Sequence, residues 1–190
     1  MTSPYTVPNL LTGLRIVLIP VIVGLFYLPV GWGDRLAGLL FAVAGITDTL
    51  DGYIARRTGQ VSPLGAFLDP VADKLIVATA LVLIVTRNPV WYVTLTATVI
   101  IGREIAISAL REWMAGLGLR HKVAVSVLGK IKTIAQIVGL SMMLYYHDLW
   151  TLPIYWIGLV LTIIAAVLTL WSMVLYLQAA WPELVRRPTR

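Results

Sequence analysis

Six apolar runs divide this chain, each near the length of a bilayer-spanning helix, about 20 residues. They cover residues 9–27, 36–56, 65 or 70–85, 90–113, 123–146 and 152–180. Hydrophobic residues make up 59% of the sequence and charged residues 13%, against roughly a quarter charged in a soluble domain. The expected class is therefore all-α and integral to a membrane, with residues 1–190 forming one domain. Pro20 is placed to kink the first helix. Pro70 suits the first turn of the third, where a missing N–H is tolerated. Pro89, Pro153 and Pro182 mark helix starts or stops, and no long linker, low-complexity tract or repeat interrupts the pattern.

Basic residues orient the helices, because Lys and Arg accumulate on the cytoplasmic side. One set of helix ends holds Arg15, Arg56, Arg57, Arg111, Arg120, Lys122, Lys130, Lys132, Arg186, Arg187 and Arg190, and the other only Arg35 and Arg87. This predicts six transmembrane helices with both termini in the cytoplasm. The uncharged cores of helices two to five span only about 12–15 residues, short of a full crossing. Their charged inner ends need a polar cavity open to the cytoplasmic face. The net charge of +6 is ascribed to this basic side and to anionic headgroups, not to nucleic acid. With no cysteine, disulfides and thiolate metal sites are excluded. Trp32, Trp91 and Trp150 read as interfacial belt residues. Gly38-x-x-x-Ala42 and Gly158-x-x-x-Thr162 permit close helix packing, within the chain or at a dimer seam.

Against this apolar background, four of the nine acidic residues fall within 26 positions: Asp48, Asp51, Asp69 and Asp73. Carboxylates at membrane depth are expensive, which makes them functional candidates. Asp48 and Asp51 are spaced i, i+3, and Asp69 and Asp73 i, i+4, so each pair shares a helix face. The turn-like segment 58–63 is placed to fold one pair back towards the other. Facing carboxylates repel unless a cation intervenes, and Mg²⁺ or Mn²⁺ prefers such oxygen ligands. Paired metals of this kind serve phosphoryl transfer. Gly52, Ala55 and Gly65 leave room for a substrate backbone, and Arg56 with Arg57 could meet a diphosphate. A second, basic group follows. Arg103 and Arg111 share a face of helix four, near Glu104 and Ser108. Lys130 and Thr133 share a face of helix five, with Lys132 beside them. An acidic metal site and a basic pocket together suggest two phosphorylated substrates. The bland alternative for Arg103 and Arg111 is that they anchor the helix or pair with Glu104 and Glu112.

The run Asp48-x-x-Asp51-Gly52-x-x-Ala55-Arg56, then eight residues, then Gly65-x-x-x-Asp69-x-x-x-Asp73 resembles the signature of the CDP-alcohol phosphatidyltransferase family without a departure. The segments 8–15, 67–74, 103–105, 109–112 and 129–133 are similar to its bacterial phosphatidylglycerophosphate synthase branch. The resemblance implies a homodimer in the bacterial inner membrane, with its active site open to the cytosol. It implies transfer of the phosphatidyl group of CDP-diacylglycerol to sn-glycerol 3-phosphate, with release of CMP, the first committed step towards phosphatidylglycerol and cardiolipin. Carried over by position, Asp48 and Asp69 would bridge two divalent cations, Asp51 would complete one site and Asp73 the other. Asp73 would also be the candidate general base. Gly52, Arg56 and Ser62 would contact the CDP moiety, with Ala55 and Gly65 beside them and Asn9 and Thr12 lining the same pocket. Arg103, Arg111, Lys130 and Lys132 would hold the glycerol phosphate. Other acceptors, as in a cardiolipin synthase or an inositol phosphate enzyme, are the alternatives within the family. A cation transporter using the aspartates as its ion site is the alternative outside it.

Overall fold

The computed structural model describes residues 7–58, 63–116 and 127–185, with side chains described over 9–48, 65, 67–116, 132–178, 180, 181 and 185. These segments form six helices: α1 (Val7–Tyr27), α2 (Gly33–Thr58), α3 (Pro63–Arg87), α4 (Trp91–Gly116), α5 (Val127–Tyr145) and α6 (Ile154–Val185). The chain is an all-α membrane protein. Among the described residues, α1, α4 and α6 are long and apolar enough to cross a membrane by themselves. α4 meets that measure with Arg103 and Glu104 within it, and its uncharged stretch ends at Gly102, as short as expected.

Most helix limits agree with the apolar runs, and the differences have local causes. α3 begins at Pro63, so the N-terminal position falls to that proline and Pro70 lies inside the helix. A proline at the start costs no hydrogen bond because the first N–H groups have no partner in any helix. α2 continues past Arg56 to Thr58. α5 is described from Val127, and the expected residues 123–126 lie outside the described residues. Asp34 stands in the first turn of α2 and Arg87 in the last turn of α3, each complementary to its helix dipole. The two also pair, Arg87 Nη1 to Asp34 Oδ1 at 2.7 Å, with the guanidinium over the rings of Phe26 and Tyr146. This cluster closes the end of the bundle opposite the acidic residues. Trp32, Trp91 and Trp150 are all exposed at that same end.

Small residues set the closest helix approaches. A Cβ on Gly139 would lie 2.5 Å from Thr162 Oγ1 and 2.8 Å from the Gly158 carbonyl oxygen, and one on Gly158 would lie 2.7 Å from the Gly139 carbonyl. α5 and α6 therefore touch backbone to backbone. A Cβ on Gly38 would lie 2.7 Å from the Ser141 carbonyl oxygen, so α2 meets α5 in the same way. Gly38, Gly158 and Thr162 of the small residues read from the sequence are thus used inside the chain. Hydroxyls in the apolar bundle turn back on their own helices: Thr96 donates to the Tyr92 carbonyl, Ser141 to Ile137 and Thr162 to Gly158. The core between the helices is filled by Ile22, Phe41, Ala44, Ile76, Leu83, Ile100 and Leu140. Much of the remaining apolar surface faces outward, Leu14, Val21, Leu95, Val167 and Trp171 among it, as suits a lipid-facing exterior.

Candidate active site

α1 organises the acidic residues. Thr12 and Arg15, one turn apart, present the same face to α3. Thr12 Oγ1 donates to Asp69 Oδ1, and Arg15 Nη1 donates to Asp73 Oδ1. The order is the same on both helices, so α1 and α3 run in the same direction. Arg15 Nη2 lies 3.1 Å from Asp48 Oδ1 on α2. Among the described residues the acidic neighbours of Asp73 are Asp48 and Asp69. Three of the four motif aspartates are thereby gathered from two helices around one face of a third. The turn-back anticipated from the sequence is achieved through α1, and residues 59–62 of the connecting segment lie outside the described residues.

Thr12 is 1% exposed and Arg15 3% exposed. Neither was read from the sequence in this capacity. The sequence marks Arg15 as a basic helix end, and the family resemblance marks Thr12 as a lining of the CDP pocket. The signal for Arg15 was available, since a cation inside an apolar run is costly by the same reasoning that singles out the aspartates.

Asp48 and Asp73 line a cavity of about 300 Å³ to which all six helices contribute. Arg15 comes from α1, and Asp73 and Lys74 from α3. α4 supplies Arg103, Glu104 and Arg111, α5 supplies Lys132 and Thr133, and α6 supplies Ser172 and Tyr176. The basic residues expected on helices four and five therefore face the same space as the acids. Arg103 is 5% and Lys132 7% exposed. Arg103 Nη1 reaches Glu104 Oε2 at 3.2 Å, and its Nη2 donates to Ser172 Oγ at 2.8 Å. Arg103 thus has the Glu104 partner of the bland reading, yet it is a buried cavity residue and not a headgroup anchor. Arg103 Nε is buried without a partner among the described residues. The Arg111 guanidinium lies 5.8 Å from the Tyr176 ring centroid. Among the described residues the charged neighbours of Lys132 are Arg103, Arg111 and Glu104, two cations and one anion. Ser108 turns away and donates to the Glu104 carbonyl.

The other anticipated residues divide as follows. Asp69 and Gly65 lie on α3, with Gly65 buried, and neither lines this cavity; nor does Asn9, half-buried on α1. Asp51, Gly52, Ala55 and Arg56 lie on α2 and Lys130 on α5, but their side chains fall outside the described residues, as does Ser62 altogether. Among the described residues no three carboxylate or imidazole groups converge on a metal position. The donors available are all carboxylate oxygens, the chemistry that suits a hard divalent cation.

The chain matches the model of the family described as CDP-alcohol phosphatidyltransferase over residues 5–177. Curated relatives named CDP-diacylglycerol–glycerol-3-phosphate 3-phosphatidyltransferase include those of Escherichia coli strain K12 and Shigella flexneri. Each is 52% identical over 181 residues, covering 95% of this chain and 98% of the relative.

Proposed function

Because the chain belongs to the CDP-alcohol phosphatidyltransferase family, we propose that it transfers the phosphatidyl group of CDP-diacylglycerol to sn-glycerol 3-phosphate. The products are phosphatidylglycerol phosphate and CMP. One observation carries this reading: carboxylates and cations from five helices, with Ser172 and Tyr176 of α6, line a single cavity. A path for cations has no use for Arg103, Arg111 and Lys132 around it. An anionic acceptor meeting an anionic donor has use for both groups.

The family is generally dependent on divalent metal. Asp48, Asp51, Asp69 and Asp73 would hold two such ions, Mg²⁺ or Mn²⁺. When bound, these neutralise the diphosphate and the charge that develops on CMP as it leaves. Arg103, Arg111 and Lys132, with Lys130, bind the phosphate of the acceptor. Gly52, Ala55, Arg56, Ser62, Gly65, Asn9 and Thr12 form the CDP side. A hydroxyl of glycerol 3-phosphate attacks the phosphorus that carries diacylglycerol. The new P–O bond forms as the bond to CMP breaks, and the hydroxyl proton passes to Asp73, the carboxylate that faces the cavity beside the cations.

We further read residues 1–190 as one domain, set in the inner membrane as a homodimer with the cavity open to the cytoplasm. The distribution of Lys and Arg supports the orientation, and the homodimer is what the family resemblance implies. The test is CMP release by the purified protein in detergent, with CDP-diacylglycerol, divalent metal and a panel of acceptors. Release that requires glycerol 3-phosphate is expected. Release only with phosphatidylglycerol or inositol phosphate would keep the chemistry and overturn the acceptor.

A further inference from the structure

Arg15 stands where the acidic residues of two helices meet. Its guanidinium touches Oδ1 of Asp73 on α3 and, at 3.1 Å, Oδ1 of Asp48 on α2. The three groups differ in exposure in a way that bears on role. The arginine side chain is 3% exposed, whereas those of Asp48 and Asp73 are 37% and 42% exposed, and both line the cavity. The carboxylates are open to an incoming ligand, whereas the cation, although it also borders the cavity, is almost wholly enclosed.

A buried cation in contact with two carboxylates can act in one of two ways. It can be a counter-charge that an arriving metal displaces, or a clamp that remains in place. Displacement would part a buried guanidinium from two carboxylates that it touches, which is unfavourable. A planar guanidinium also presents its donors in a rigid fork, able to hold two acceptors at a set separation. Thr12, one turn earlier on the same face of α1, holds Asp69 in a comparable way.

We propose that Arg15 is a positioning residue of the metal centre, fixing Asp48 and Asp73 across two helices so that a divalent cation meets a preformed pair. This inference rests on the metal-centre reading above. Groups that orient metal ligands from behind typically change metal affinity 10–100-fold when removed. Simple Coulomb attraction argues the other way, because deleting a positive charge beside a cation site should tighten binding. The sign of the effect therefore separates clamp from counter-charge.

The experiment is a Mn²⁺ titration followed by electron paramagnetic resonance, on purified protein without either substrate. Arg15→Met is expected to bind Mn²⁺ about 10–100-fold more weakly than wild type. Arg15→Lys is expected to remain weak, since one ammonium cannot replace the fork. Unchanged or tighter binding by Arg15→Met would overturn the inference, even if that variant melts at a lower temperature, and so would full affinity in Arg15→Lys. Should Arg15→Met fail to fold, Arg15→Lys carries the test by the same criterion. Absence of Mn²⁺ binding in wild type would instead overturn the metal-centre reading, and the inference with it.

Discussion

Arg103 on α4 and Ser172 on α6, 69 residues apart, are joined by a 2.8 Å hydrogen bond in the wall of the cavity. Ser172 Oγ accepts from the guanidinium while donating to the Thr169 carbonyl at 2.9 Å, so the hydroxyl is fixed from both sides. This bond aims Arg103 at the cavity. A hydrogen bond to a charged group contributes about 1.5–3 kcal/mol. Ser172→Ala is therefore expected to raise KM for glycerol 3-phosphate by about tenfold or more, with KM for CDP-diacylglycerol nearly unchanged. Steady-state kinetics with each substrate varied in turn will check it. Equal effects on both KM values would place Arg103 outside the acceptor pocket.

Lys132→Ala and Arg111→Ala remove cations from the same wall. Each is expected to weaken the acceptor by about 10–100-fold, the range for losing a charge-assisted hydrogen bond. The CDP-diacylglycerol term should move less. Arg111 also stacks towards Tyr176, so Tyr176→Leu is expected to reproduce part of the Arg111→Ala effect, again in KM for the acceptor.

Gly139→Val tests the backbone contact between α5 and α6. Its Cβ would lie 2.5 Å from Thr162 Oγ1 and 2.8 Å from the Gly158 carbonyl oxygen, and carbonyl backbone cannot swing aside. Overpacking of this kind costs about 1–3 kcal/mol. The melting temperature in detergent should fall by several degrees, and an unaltered melt would show that the two helices pack less closely than described.

Asp34→Asn removes the charge that faces Arg87 at the far end of the bundle. The expected result is a lower melting temperature with both KM values at wild-type level. A changed KM for either substrate would mean that the two ends of the bundle are coupled.

Much of this architecture is legible in the sequence because the bilayer demands long apolar runs, and a carboxylate within one stands out. Asp48, Asp69, Asp73, Arg103, Arg111 and Lys132 were all identifiable in that way. Ser172 and Tyr176 were not. A serine and a tyrosine in an apolar helix carry no charge to mark them, and only the packing of α6 against α4 and α5 brings them to the cavity. Arg15 was assigned to topology because arginines at cytoplasmic helix ends are common, and its contact with α2 and α3 depends on how α1 is rotated. The same limit applies to Gly158 and Thr162, whose spacing suits a dimer seam and an internal contact equally well.

The most direct test of the central claim is CMP release as a function of metal, in wild type and in Asp69→Asn. Wild-type protein stripped with a chelator should be inactive and should recover with Mg²⁺ or Mn²⁺, while folded Asp69→Asn should stay at background at every metal concentration. Transfer by the metal-stripped protein, or full activity in Asp69→Asn, would contradict a metal-dependent centre built on the aspartates gathered around α1.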